Sequence, residues 1–207
     1  MADIRKCISC NVGCVGNRIG GNKPIRCSIN PDLIYGEEYK RTKVQKECNV
    51  VVVGAGTAGL EAACTAAEVG CNVVLLEKEQ QVGGLSVQIS KIPAKTRLAD
   101  FPTYLKHRAE KLGNLKIVTG VDATVETVKA YQPDLVVNAT GSVPMLPPIE
   151  GLHENLQKDD AKVYCIHDMI DHLNDYPEDL TGKKVAVIGG GAVGLDVVEF
   201  FAPRGAE

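Results

Sequence analysis

The residues with the plainest chemical potential are four cysteines near the start of the chain, Cys7, Cys10, Cys14 and Cys27, spaced Cys-x2-Cys-x3-Cys-x12-Cys. Three thiols crowd into CISCNVGC, and the fourth follows in IRCSINP. Structural zinc sites usually draw their ligands from two separated pairs, each on its own knuckle. Three bunched thiols and one remote one suit a cubane [4Fe–4S] cluster better: one loop wraps three irons and the distant thiolate caps the last. The spacing favours a cluster, with a zinc clip as the alternative. Gly13, Gly16, Gly20 and Gly21 would let the backbone run close to the sulfurs.

A second chemistry lies in NVVVVGAGTAGLEAACTAAEVGCNVVLLEKEQQVGG. The β-branched run Asn49–Val53 reads as a strand buried on both faces. A small-residue helix follows from Thr57 to Val69, ended by Gly70, and a second strand runs from Asn72 to Leu76. Between strand and helix lies Gly54-x-Gly56-x-x-Gly59, and Glu77 falls 18 residues beyond Gly59. Gly54 permits the tight turn, Gly56 lets a pyrophosphate approach the positive helix N-terminus, and Gly59 lets helix and sheet pack closely. Glu77 is placed to accept hydrogen bonds from an adenosine ribose. The grammar recurs near the end of the chain. A strand is expected over Val185–Ile188, a turn at Gly189-x-Gly191-x-x-Gly194, and a helix over Leu195–Phe201. The residue that would tell NADH from NADPH should fall near position 212, past Glu207. A lone β-α half cannot bury its own apolar face. The expectation is therefore a fragment cut just inside a second nucleotide-binding domain, and cut at the cysteine loop as well.

Other elements must position these motifs. Asp134–Asn138 reads as a buried strand leading into Ala139-Thr140-Gly141, and Pro144, Pro147 and Pro148 stiffen the exit. In SKIPAKTRLADFPTYLKHRAEKLG, a loop precedes an amphipathic helix over about Leu98–Leu112, with Leu98, Phe101, Leu105, Ala109 and Leu112 on one face. Lys95 and Arg97 are within reach of a phosphate in such a loop, but the solvated reading is preferred. Gly151–Leu180 reads as a polar, irregular connector whose histidines lack ligand spacing. Cys64 reads as a small core residue, and no role attaches to Cys48, Cys71 or Cys165.

Composition bounds the function classes. The chain is 44% hydrophobic and 24% charged, with a formal net charge of −3, an ordinary globular balance. Residues 1–46 hold nine Lys/Arg against four Asp/Glu, so they carry +5 and the remainder −8. Aromatics make up only 4%, so the basic segment offers no stacking surface for nucleic acid. It does offer cations to offset thiolate charge. No apolar run approaches the roughly 18 residues of a membrane span, and the first residues lack a signal-peptide core. A cytoplasmic protein is expected, in which thiols stay reduced and eight cysteines point to metal or redox chemistry.

The acidic strand end, the Gly83-Gly84 turn and ATGSVP together resemble the FAD domain of flavoproteins that bind two dinucleotides. Disulfide reductases of that superfamily carry a redox cysteine pair soon after the Gly-Gly turn; this sequence has none there, so the flavin's electrons must leave by another route. The order of the cysteines, CSINP, YGEE, the first fingerprint and the second resembles the family of 2,4-dienoyl-CoA reductase, 2-enoate reductase and trimethylamine dehydrogenase. KIPAKTRLADFPTYLKHRAEKL looks closest to clostridial 2-enoate reductases.

This resemblance implies an α/β fold: an FAD/NAD(P)-binding, Rossmann-like three-layer domain preceded by an irregular Cys-rich iron–sulfur segment. It divides the chain into residues 1–46 (the four-cysteine tail of an FMN barrel lying outside this sequence), 47–150 (FAD), 151–182 (connector) and 183–207 (the start of the NAD(P)H domain). It implies that Cys7, Cys10, Cys14 and Cys27 hold a [4Fe–4S] cluster. It places FAD on Gly54, Ala55, Gly56, Ala58, Gly59, Glu77, Lys78, Gly84, Val121, Ala139, Thr140 and Gly141, and NAD(P)H on Gly189, Gly191 and Gly194. Electrons would pass from NAD(P)H to FAD, to the cluster and to FMN, which would reduce the activated C=C bond of an enoate or enoyl-CoA. No catalytic acid or base falls within this chain. The implied partner is a small-molecule substrate, with neither nucleic acid nor membrane; a homo-oligomer stays open. Two other readings stay open too: a standalone diaphorase-type electron-transfer subunit, and a zinc-clipped nucleotide-binding interaction module.

Overall fold

A computed structural model describes residues 3–36, 40–156, 158 and 162–207. The chain forms two compact units, one of residues 1–90 with 95–141, the other of residues 91–94 with 142–207.

The first unit is built on a four-stranded parallel sheet: β1 (Asn49–Val53), β2 (Asn72–Leu76), β3 (Leu115–Val118) and β4 (Leu135–Asn138), in the order β3-β2-β1-β4. The order steps outward from β1 in both directions, so the strand carrying the first glycine turn is central, as in doubly wound folds. Helix α1 (Asp32–Tyr35) precedes the sheet, and α2 (Thr57–Glu68) links β1 to β2. Helices α3 (Gly84–Ile89) and α4 (Asp100–Glu110) link β2 to β3, with a 3-10 stretch over Pro93–Ala99 between them, and α5 (Val125–Ala130) links β3 to β4. Register is in phase: Asn49 lies beside Asn72 and Val53 beside Leu76. Val50, Val52, Val73 and Leu75 therefore face one way, onto Leu60, Ala63 and Ala67 of α2 and Leu105 of α4, all buried. The apolar face expected for the helix after the Gly-Gly turn is the one it buries. Leu105 and Ala109 lie inside and Phe101 and Leu112 pack at the edge, although the α-helix is shorter than expected because its first turns are 3-10.

Two expectations about this unit need correcting. Strand β4 is not buried: Leu135 is 55% exposed and Val136 47%. It pairs with β1 on one side only, so its β-branched run marks an edge rather than a covered core strand. The cysteine segment is not wholly irregular either. Val12–Gly20 winds as a π-helix, opened by Gly16 N–H on Asn11 C=O at 2.7 Å and continued by Gly21 N–H on Gly16 C=O at 3.0 Å.

The second unit departs from expectation in two places. The stretch read as an irregular connector contains α6 (Leu152–Leu156) and α7 (Ile166–Asp171). Met169, Ile170, Leu173 and Leu180 are buried there together with Phe200 and Phe201 of α8 (Ala192–Phe201), so a few apolar residues spaced among acids build a small core of their own. Tyr176 sets its ring edge-on to Phe201 at 5.1 Å and to Phe200 at 5.9 Å. The strand expected over Val185–Ile188 is absent. Val185 N–H donates to Glu207 C=O at 2.8 Å and Glu207 N–H to Lys183 C=O at 2.9 Å. That is one parallel pair, and Ile188 beyond it is 76% exposed. A ladder needs a partner at every other residue, and only the first rung has one.

Candidate dinucleotide and cysteine sites

In the first unit the strand ends converge. Gly54 N–H donates to Leu76 C=O and Ala139 N–H to Val53 C=O, both at 2.8 Å, so the glycine turn, the end of β2 and the Ala139-Thr140-Gly141 segment lie side by side. Gly59 packs so tightly that an added Cβ would stand 1.8 Å from Gly54 O, the helix–strand contact the fingerprint requires. Gly56 caps α2 in extended conformation and pairs with Gly83 across an isolated parallel bridge. Gly84 begins α3 against the Gly56 backbone. Two glycine turns thus meet at the N-terminus of α2, where Ala58 is exposed and the space over Gly56 is open. A free, positive helix end flanked by backbone suits a pyrophosphate.

Glu77 is the one buried charged residue of the described set, at 7% exposure. Its Oε2 accepts from Ala55 N–H at 2.5 Å and its Oε1 from Glu79 N–H at 3.0 Å. Val121 N–H closes on Glu77 C=O at 2.9 Å. The carboxylate is therefore fixed beside the glycine turn. Lys78 points outward, exposed, with Glu79 at 3.8 Å. Asn138 was not foreseen: its Oδ1 accepts from Thr140 N–H at 3.3 Å and from Thr140 Oγ1 at 3.0 Å, and a polar residue closing the apolar run of β4 was the available signal. A separate cavity of about 270 Å³, lined in part by Asn49, Asn72, Asn114, Lys116 and Tyr131, lies at the strand starts. That is the wrong end for a nucleotide, which sits outside the carboxyl ends of parallel strands.

In the second unit Gly54, Gly56, Gly59 and Gly70 recur 135 residues later as Gly189, Gly191, Gly194 and Gly205. Geometry recurs with them. Gly54 and Gly189 have φ 97° and 115°. An added Cβ on Gly194 would stand 1.9 Å from Gly189 O. Leu195 N–H donates to Gly191 C=O at 3.0 Å, as Leu60 N–H does to Gly56 C=O at 2.9 Å. Lys184 pairs with Glu207 as Asn49 pairs with Asn72.

Around the cysteines the backbone closes up. Arg26 N–H donates to Gly13 C=O at 2.8 Å, and an added Cβ on Gly13 would stand 2.7 Å from Arg26 O, so the segment bearing Cys27 lies against the three-cysteine loop. Ser9 N–H donates to Cys7 Sγ at 3.3 Å, and Cys10 Sγ lies 3.5 Å from Ser28 Oγ. The Ser28 hydroxyl, followed by the Val12 and Gly13 amides, holds the Cys10 thiol below its ordinary pKa. Among the described residues no three His, Cys, Asp or Glu side chains close on a point that could hold one metal ion. A cubane asks something else of its ligands, since each thiolate caps its own iron. An all-thiol donor set with amides and a hydroxyl aimed at the sulfurs fits such a group. Of the nearby cations, Arg5 donates to Ile29 C=O at 3.0 Å and lies 5.1 Å from the Tyr104 ring centroid, and Lys6 meets Asp100 at 3.4 Å, so these contacts are with groups other than the thiols. Cys64 is fully buried, as expected of a core residue. His172 pairs with Asp175 at 2.8 Å on the surface.

Among the described residues no helix is long and apolar enough to cross a membrane. The family model for pyridine nucleotide-disulphide oxidoreductases matches residues 29–100 and 48–207. The chain is 39% identical to an "NADH oxidase" of Thermoanaerobacter brockii over 99% of its own length and 30% of the relative's. It is 32% identical to a "cinnamate reductase" of Clostridium sporogenes over 99% of this chain and 28% of that one. A solved 2-naphthoyl-CoA reductase superposes with a TM-score of 0.82 at 32% identity, over 100% of this chain and 30% of that one. The chain thus spans less than a third of the length of these relatives. Fold, paired glycine turns and sequence agree: the chain belongs to the pyridine nucleotide-disulphide oxidoreductase family of FAD- and NAD(P)H-binding flavoprotein oxidoreductases.

Proposed function

We propose that this chain is the electron-transfer portion of an NAD(P)H-dependent flavin and iron–sulfur oxidoreductase that reduces activated C=C bonds, of the 2-enoate or enoyl-CoA class. Cys7, Cys10, Cys14 and Cys27 would hold a [4Fe–4S] cluster; Gly54, Ala55, Gly56, Ala58, Gly59, Glu77, Lys78, Gly84, Val121, Ala139, Thr140 and Gly141 would hold FAD; Gly189, Gly191 and Gly194 would begin the nicotinamide site. Bound there, FAD would supply two-electron and one-electron redox chemistry and the cluster one-electron chemistry, linking NAD(P)H to an FMN expected on a barrel domain. The chain's own residues do the positioning. The α2 N-terminus and the bare backbone at Gly56 receive diphosphate, Glu77 waits for ribose hydroxyls, and the amides of Ser9, Val12 and Gly13 neutralise thiolate charge. Substrate class is drawn from the names of the cinnamate and 2-naphthoyl-CoA reductases.

The observation that carries this reading is the closure of the Cys27 segment on the three-cysteine loop through Arg26 and Gly13. Anaerobic purification followed by iron, labile sulfide, zinc and flavin analysis tests it. Roughly four irons and four sulfides per chain, with extractable FAD, are expected. Stoichiometric zinc without labile sulfide would leave a nucleotide-binding scaffold and nothing more.

A further inference from the structure

After the Gly83-Gly84 turn the chain runs through α3 into the 3-10 turn Pro93–Ala99, and this turn reaches the cysteine segment. Arg97 Nη1 donates to Ser9 Oγ at 2.8 Å. Ser9 lies between Cys7 and Cys10, with its backbone in the left-handed region at φ 57°, where a non-glycine residue needs support. From that conformation its amide donates to Cys7 Sγ at 3.3 Å. Ser9 thus accepts the Arg97 guanidinium at its side chain while its own amide donates to a thiol sulfur. The neighbouring cations do not share this arrangement. Lys6 is matched by Asp100, and Arg5 is spent on Ile29 C=O, Asn30 Oδ1 and Tyr104. Arg97 meets a neutral hydroxyl, and among the described residues no carboxylate pairs with it.

We propose that Arg97 is a positioning residue for the cysteine loop: it locks Ser9 so that the Ser9 amide stays on Cys7 Sγ, and with its own charge it favours the reduced form of a cluster held there. This inference rests on the proposed [4Fe–4S] assignment. Reduction adds one negative charge to the group, so a nearby cation and an N–H···S bond both stabilise the reduced form more than the oxidised one.

The test is a redox titration of the anaerobically purified, cluster-loaded protein, followed by electron paramagnetic resonance, for wild type, R97Q, R97K and S9A. In R97Q the reduction equilibrium should move about tenfold toward the oxidised form, which for one electron is about 59 mV. S9A should move it in the same direction, and R97K should recover most of the shift, because the charge remains. An R97Q reduction equilibrium within about threefold of wild type overturns the proposal, as does loss of iron in R97K as complete as in R97Q, which would make Arg97 a packing residue alone. A wild-type protein without labile sulfide would overturn the cluster assignment instead, so the two failures are distinguishable.

Discussion

The Ala55 amide donates to Glu77 Oε2 at 2.5 Å, tying the glycine turn after β1 to the acid at the end of β2. The same carboxylate that would receive a ribose also holds the turn that would receive the diphosphate, so nucleotide binding and local stability share one buried group.

Replacing Glu77 with Gln separates them in part. An amide NH2 cannot accept from a backbone N–H, so either Ala55 or Glu79 loses its acceptor. The cost of a buried unmet donor is about 2 kcal/mol. Urea unfolding of the flavin-free E77Q protein should show that loss, and flavin content after purification should fall below half of wild type. Unchanged flavin content would detach Glu77 from the ribose.

Gly59 and Gly56 should fail differently. A methyl on Gly59 would collide with Gly54 O, and G59A should lose about 3 kcal/mol through strain between α2 and β1. A methyl on Gly56 meets nothing within 4 Å, and its φ of −69° suits alanine. G56A should therefore melt like wild type when flavin-free and bind FAD at least tenfold more weakly, because its methyl stands where the diphosphate must approach. Thermal melts and FAD titration check the pair together.

Arg108 clamps α4 to α2. Its Nε and Nη2 meet the two oxygens of Glu68 at 2.5 and 2.7 Å, and its Nη1 meets Glu61 Oε1 at 2.9 Å. Only 10% of the Arg108 side chain is exposed. The guanidinium holds the Glu68 carboxyl below its ordinary value of 4.5. A lowered carboxylate contributes stability that is present above the unfolded value and is lost as pH falls through the folded one. Wild type should lose stability on acidification below that ordinary value. R108A should be about 2 kcal/mol less stable near neutral pH, with a weaker acid dependence. Denaturant midpoints measured near neutrality and in acid decide it.

Thiol reactivity should follow environment. Burial pushes the Cys64 thiol up to about 11, whereas the Ser28 hydroxyl and nearby amides draw the exposed Cys10 down. Only thiolates alkylate readily. In cluster-free protein at about pH 8, iodoacetamide should label Cys10 among the first residues and Cys64 last, read by peptide mass spectrometry. Early labelling of Cys64 would mean that α2 and α4 separate.

Much of this protein is local and therefore legible from residues alone. The β-branched run before Gly54-x-Gly56-x-x-Gly59 forms the strand, turn and helix its residues point to. Glu77 at the end of the next strand follows from register, since in-phase parallel strands end together. Four clustered thiols are legible as a group from their spacing alone. What only tertiary structure decided depends on neighbours. The run Leu135–Asn138 has the composition of a core strand, but its place at the sheet edge leaves Leu135 and Val136 in solvent. Val185–Ile188 has the right residues for a strand and one rung of partner, because strand structure belongs to a pair and not to a segment. Arg97 reads as solvated, and no periodicity could bring it to Ser9 or Asp100 to Lys6, roughly ninety residues away in the chain. Backbone periodicity is written within a few residues, whereas the meeting of distant side chains exists only once the chain has closed on itself.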